Sequence, residues 1–202
     1  MRLILVRHGQ TDSNVRMTYC GRFDRELNSE GIRQVRQTAE DLEVLLHGEP
    51  VQSMQTSPLK RATSTADIIA ERLGYPKENI VLEPEIIEMS FGIFEDLTYD
   101  EIRERFPQEH RNWEKDWITY QVPEGESNEM VNTRMERYFK QFIENHDDGN
   151  HIFTTHMGAL THALVSILEL DIRSIWRFRL RNAGIAVIHI GRDKFGYLER
   201  LF

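Results

Sequence analysis

Two rhythms of apolar positions alternate along this chain. Short apolar runs read as strands: Arg2 to Val6, Val51 to Thr56, Ile80 to Leu82, His151 to Thr155, Ile185 to Ile190 and Phe195 to Leu201. The last two are joined by a hairpin-like Gly191-Arg192-Asp193-Lys194. Between these runs the spacing turns helical. Asn28 and Ser29 offer an N-cap to a helix carrying Ile32, Val35, Ala39, Leu42 and Leu46, stopped by Gly48 and Pro50. Ser57-Pro58 predicts the start of a helix with Ala62, Ala66, Ile69 and Leu73 on one face, ending at Gly74. Ser127 caps a third, bearing Val131, Met135, Tyr138 and Phe142, and His156-Met157-Gly158 leads into a fourth over Ala159 to Leu168. A polar loop follows the Arg7-His8-Gly9 turn and runs through Gly21 and Asp24. From Glu88 to Glu126 the pattern loosens, with Phe91, Phe94, Trp113, Trp117 and Tyr120 spread among charges and a short helix predicted over Tyr99 to Phe106. This alternation predicts an α/β fold: a three-layer α/β/α sandwich around a mostly parallel sheet. It reads as one domain over 1–202, with a helical lid insertion at about 88–127.

Composition narrows the class. At 202 residues and 40% hydrophobic, the chain can bury a substantial core, and 29% charged residues fit a soluble protein. No stretch approaches the ~20 apolar residues that span a bilayer, and the N-terminal strand lacks a signal-type apolar region. Cys20 is the single cysteine, which excludes an intrachain disulfide and points to a reducing, cytoplasmic setting. A net charge of −8 argues against nucleic acid and anionic membrane as partners. An acidic chain that takes an anionic substrate must concentrate its arginines locally. The oligomeric state stays open, a homodimer being one option.

The candidate chemistry lies in three turns. Arg7-His8, Ser57 to Arg61, and His156 each follow the end of a predicted strand, and in a parallel sheet those ends open on one edge. A helix starting near Ser57 would offer backbone N–H groups to an anion, with Arg61 about one turn in, able to fork onto phosphate oxygens. Arg7 could do so from the other side, and a protonated His156 would add a donor. Taken singly, each of these residues reads as solvated surface.

Together they carry a resemblance. Leu5-Val6-Arg7-His8-Gly9-Gln10-Thr11 with Asn14, Ser57-Pro58-Leu59-Lys60-Arg61-Ala62 with Thr65-Ala66, and Thr155-His156-Met157-Gly158 resemble the signature blocks of the histidine phosphatase (phosphoglycerate mutase-like) superfamily, in order, over nearly the whole chain. The resemblance implies that His8 is the nucleophile and becomes phosphohistidine, and that Arg7, Arg61 and His156 form the phosphate pocket with Asn14 assisting. Such donors can stabilise a transferring phosphoryl group without Mg²⁺. No Walker loop or carboxylate-rich metal site is present, so no metal and no cofactor are expected.

A phosphomonoester also needs an acid for its leaving oxygen, and Glu85, Glu88 and Glu95 are the candidates. The block Glu88-Met89-Ser90-Phe91-Gly92-Ile93-Phe94-Glu95 is similar to the family's acid motif, which gives the role to Glu88; Met89 and Phe91 beside it favour its protonated form. Gly21, Met157, Glu124, Trp113 and Trp117 complete the expected substrate pocket, with Ser127 either lining it or only capping its helix. The tryptophans read equally as packing groups of a small cap. Met157 stands where small or amide residues are common, and Phe94 and Asp96 replace a tryptophan and a glycine often seen in the acid block; these departures touch the substrate side.

The implied function is a metal-independent phosphomonoesterase acting on a small phosphorylated metabolite. The blocks Glu88 to Glu95, Trp113 to Trp117 and Ser174 to Phe178 look most like α-ribazole phosphatases of cobalamin synthesis. Phosphoserine and broad-specificity phosphatases share many of these features, and a cofactor-dependent phosphoglycerate mutase is less compatible with so short and acidic a lid. A non-catalytic phospholigand-binding protein would have no reason to keep both a nucleophile and an acid.

Overall fold

The computed structural model describes residues 1–202 and contains a six-stranded sheet in the order β3-β2-β4-β1-β5-β6. In chain order these strands are β1 (Arg2–Arg7), β2 (Val51–Thr56), β3 (Val81–Leu82), β4 (Asn150–Thr155), β5 (Ile185–Ile190) and β6 (Gly196–Leu201). The first four run parallel; β5 pairs antiparallel to β1, and β6 returns antiparallel to β5.

Helices α2 (Ser29–Leu46) and α3 (Lys60–Leu73) cover one face, and α6 (Asn128–Asn145) and α7 (Met157–Ile167) cover the other. The alternation of β1 shows why. Leu3 and Leu5 join the cluster under α6 and α7, whereas Ile4 and Val6 join that under α2 and α3. All four are fully buried, each worth about 1.5–3 kcal/mol. That anchorage makes β1 a rigid base for the residues at its end. The three-layer α/β/α architecture is the one the sequence predicts.

Several local expectations change. Helix α1 (Asp12–Arg16) forms within the polar loop, held by a reciprocal capping box between Thr11 and Asn14. Helix α3 starts at Lys60, later than Ser57-Pro58 suggests, because the Ser57 hydroxyl is engaged by Leu59 N–H and the His156 ring. Ile32, assigned to the apolar stripe of α2, lies exposed.

Segment 88–127 holds two helices, α4 (Tyr99–Arg105) and α5 (Pro107–Lys115). The predicted helix over Tyr99 to Phe106 is α4, and Pro107 restarts the chain directly after Phe106 as α5, a helix that the sequence pattern does not predict. This segment has its own small core of Phe94, Ile102 and Val122, with Trp113 and Tyr19 packed against it. No helix in the molecule is long and apolar enough to cross a membrane.

Candidate active site

The parallel register brings the three predicted turns together. His8 N–H donates to Thr155 O at 2.9 Å and Ser57 N–H donates to Thr154 O at 3.0 Å, so the carboxyl ends of β1, β2 and β4 lie side by side. They form the floor of a cavity of about 540 Å³, within the range of small-molecule sites. Arg7, His8, Asn14, Gly21, Arg61, Glu88, Trp113 and Met157 line it.

His8 is 5% exposed, and its Nδ1 lies 2.7 Å from the Gly9 carbonyl oxygen. A carbonyl can only accept, so Nδ1 carries the proton and Nε2 keeps its lone pair. Burial holds this imidazole well below its usual range of protonation, and Arg61 and Arg7 reinforce that shift.

Arg61 is almost fully buried. Its Nε donates to His156 Nδ1 (3.1 Å), Nη1 to Phe23 O (2.9 Å) and Nη2 to Gly21 O (2.6 Å). A guanidinium has five N–H groups, so one on each terminal nitrogen remains for a ligand. Arg7 donates through Nη1 to Leu180 O at 2.7 Å, while its Nε is buried without a partner. Asn14 accepts through Oδ1 from Thr11 and Asn182, which leaves Nδ2 uncommitted.

His156 departs from expectation. It is fully buried behind His8, their ring centroids 5.2 Å apart, and it does not line the cavity. Its Nδ1 accepts from Arg61, so its Nε2–H donates to Ser57 Oγ at 2.7 Å and the ring is neutral. Burial first, and Arg61 next, hold it well below the usual imidazole range. In this state it braces Arg61 and offers no proton to the cavity.

The helix termini hold anions of the protein itself. Asp24 accepts from Lys60 N–H (2.8 Å) at the start of α3, where the sequence suggests a substrate anion. Glu88 occupies the start of α7, accepting from Gly158 N (3.2 Å), Ala159 N (3.0 Å) and its neighbour Met89 N (2.9 Å). Among the three glutamates, Glu88 alone reaches the cavity. Glu85 pairs with Arg137 at 2.6 Å, and Glu95 accepts from Arg22 and Phe91 N–H, pinning the loop beside Gly21.

Two other expected pocket residues lie elsewhere. Glu124 is exposed in a tight turn at φ +63°, and Trp117 packs edge-to-face on Trp176 without lining the cavity. Ser127 caps α6 through Met130 N–H. Trp113 does line the cavity, and it also packs on Tyr19 and Phe94. The departures in the acid block have physical reasons. Phe94 fills the small core of the segment, and Asp96 adopts a left-handed φ of +60° while pairing with Arg25. Sequence reasoning missed Tyr19, Asn128, Thr161 and His162, which also line the cavity. The helical stripe of α7 hides the last two among core positions. No group of three or more His, Cys, Asp or Glu side chains is placed to hold a metal ion.

Residues 3–200 match the family described as the histidine phosphatase superfamily, branch 1. The chain belongs to the histidine phosphatase superfamily. Within it, the chain is 30% identical over 190 residues to the adenosylcobalamin/alpha-ribazole phosphatase of Salmonella typhimurium, covering 94% of this chain and 91% of that protein. It is 27% identical over 190 residues to phosphoserine phosphatase 1 of Hydrogenobacter thermophilus, covering 94% and 87%. The crystal structure of the alpha-ribazole phosphatase from Shigella flexneri superposes with a TM-score of 0.88 at 28% identity, covering 100% of this chain and 96% of that one. As a histidine phosphatase, the protein is a phosphomonoester hydrolase.

Proposed function

We propose that this protein hydrolyses a small phosphomonoester with an aromatic leaving group, in two steps and without metal, through phosphohistidine at His8. The observation that carries this reading is the tautomer of His8: Nδ1–H is tied to Gly9 O, and an unprotonated Nε2 borders the cavity beside Arg7 and Arg61. The phosphoryl group binds between the free N–H groups of Arg61, Arg7 and Asn14 Nδ2. His8 Nε2 attacks phosphorus in line, the bond to the leaving oxygen breaks, and Glu88, the one carboxyl group lining the cavity, passes that oxygen a proton. Water then attacks the phosphohistidine, the Glu88 carboxylate takes its proton, and the N–P bond breaks to release phosphate. His156 serves by holding Arg61 and the wall behind His8.

Segment 88–127 acts as the cover over the leaving group, whose aromatic character is matched by Tyr19, Phe91, Trp113 and Trp176 along the cavity. α-Ribazole 5′-phosphate, whose leaving group is a heteroaromatic nucleoside, is the first substrate to test; the alpha-ribazole phosphatases among the relatives support that choice. Phosphoserine is the second, supported by the Hydrogenobacter relative. The single free cysteine fits a cytoplasmic setting.

The test is turnover of p-nitrophenyl phosphate with excess EDTA, with acid-labile, alkali-stable phosphate trapped on the protein. Activity that survives EDTA and is lost by at least ~10³-fold in His8→Ala is expected. Undiminished turnover in that variant would overturn the mechanism.

A further inference from the structure

Away from the phosphate end, the cavity wall carries a polar cluster that the two chemical steps do not use. Asn128 opens α6, and Thr161 and His162 sit on α7; all three line the cavity. His162 is only 1% exposed. Asn128 Nδ2 donates to the Trp117 carbonyl at 2.7 Å, which fixes the orientation of the amide. Its Oδ1 therefore faces His162 Nε2, 3.1 Å away, and can only accept, so Nε2 carries the proton. The Thr161 hydroxyl donates to Gly158 O at 3.0 Å and keeps its lone pairs.

On the other side His162 Nδ1 lies 3.3 Å from the side-chain amide of Asn132, and with the NH2 of that amide turned toward it the ring is neutral. Burial, and Arg134 after it, push His162 down to about 4, so it stays uncharged at physiological pH. Asn128 retains one N–H and one lone pair, offered from a wall that is otherwise largely apolar. The charged lining residues are Arg7, Arg61, Glu88 and Arg179. The first three are engaged in the chemistry, and Arg179 is solvent-exposed, so water screens its charge from the buried Asn128–His162 pair.

We infer that Asn128 is the specificity contact for an uncharged hydrogen-bonding group on the leaving group, and that His162 is the residue that positions it. A carboxylate or ammonium placed there would be desolvated against neutral partners, whereas a hydroxyl or ring nitrogen would be satisfied. The pair therefore selects esters of neutral, polar aromatic alcohols against esters of amino acids and sugar acids. This assignment rests on the phosphatase reading above and names which residues discriminate.

The probes are adenosine 5′-monophosphate, phenyl phosphate and phosphoserine, assayed on the full chain. Wild-type kcat/KM is expected to favour the nucleotide over phosphoserine by at least about tenfold. The ratio of kcat/KM for the nucleotide to that for phenyl phosphate is expected to fall about tenfold in Asn128→Ala and in His162→Phe, mainly through KM. His162→Gln, whose amide can still donate to Asn128, should restore the ratio to within about threefold of wild type. An unchanged ratio in Asn128→Ala, or wild-type preference for phosphoserine, would overturn the inference while leaving the phosphatase reading intact. Failure of the wild type on all three probes would instead count against that reading. Should His162→Phe fail to fold, the other two variants decide.

Discussion

At the scale of single residues, the site is governed by which nitrogen holds a proton. His8 is fixed as the Nδ1–H tautomer by one carbonyl, and burial with two nearby guanidinium groups keeps Nε2 unprotonated. A lowered imidazole pKa means that His8, the proposed nucleophile, keeps its lone pair on acidification. The His8 limb of a kcat/KM profile is thus expected to lie below pH 6.5, and a half-maximum at or above that value would contradict the burial account. Glu88 makes a different prediction. Glu88→Gln keeps the shape but cannot shuttle a proton, so kcat/KM, which reports transfer to His8, should fall by about 10²–10⁴-fold on alkyl phosphates and far less on p-nitrophenyl phosphate, whose leaving group needs little protonation. Equal losses of kcat/KM on both substrates would mean that Glu88 does not protonate the leaving oxygen. The placement of His8 and Arg7 at the cavity floor was legible in the sequence because motif and strand end coincide, and that of Glu88 because its block resembles the family's acid motif. The role of His156 was not, since only the packed structure shows Arg61 and Ser57 occupying both of its nitrogens.

At the scale of elements, the long strands and amphipathic helices were legible because each buries a continuous apolar face, and period alone identifies them. The short pieces were not. Helix α1 has five mostly polar residues and depends on the Thr11–Asn14 box, a signal of four residues rather than of periodicity. Helix α5 buries His110 but otherwise presents a largely polar surface, so its sequence reads as loop. Within segment 88–127 the tightest point is Gly92, at φ +52°, where an added Cβ would lie 2.0 Å from the Pro123 carbonyl oxygen. Gly92→Ala is therefore expected to loosen this segment. Hydrogen exchange should show lost protection over 88–127 with β1 and β4 unchanged, and KM for an aromatic phosphate should rise. Uniform loss of protection through the sheet would mean that the segment is integral to the core.

At the scale of the whole molecule, buried neutral histidines make acid the natural denaturant. His8, His151, His156 and His162 are all held below the usual imidazole range, chiefly by burial. The unfolded chain takes up protons near pH 6.5 that the folded chain refuses, so stability is greatest above that value and falls as pH drops. For His162, with a folded value of about 4 against 6.5, the loss amounts to about 3 kcal/mol across that window. Urea midpoints at pH 7, 6 and 5 should decline for the wild type and decline less steeply for His162→Gln; identical slopes would place the proton uptake elsewhere. The clamp around Arg61 has a consequence of another kind. That cation is buried against two carbonyls and a neutral ring, with no carboxylate bonded to it. The pocket therefore presents uncompensated positive potential, and any tetrahedral oxyanion that enters relieves it. Orthophosphate leaves the enzyme in that same pocket, so the protein should be inhibited by its own product. The same occupancy should raise its melting temperature, by about 2.7 kcal/mol of stabilisation at a hundred times Kd.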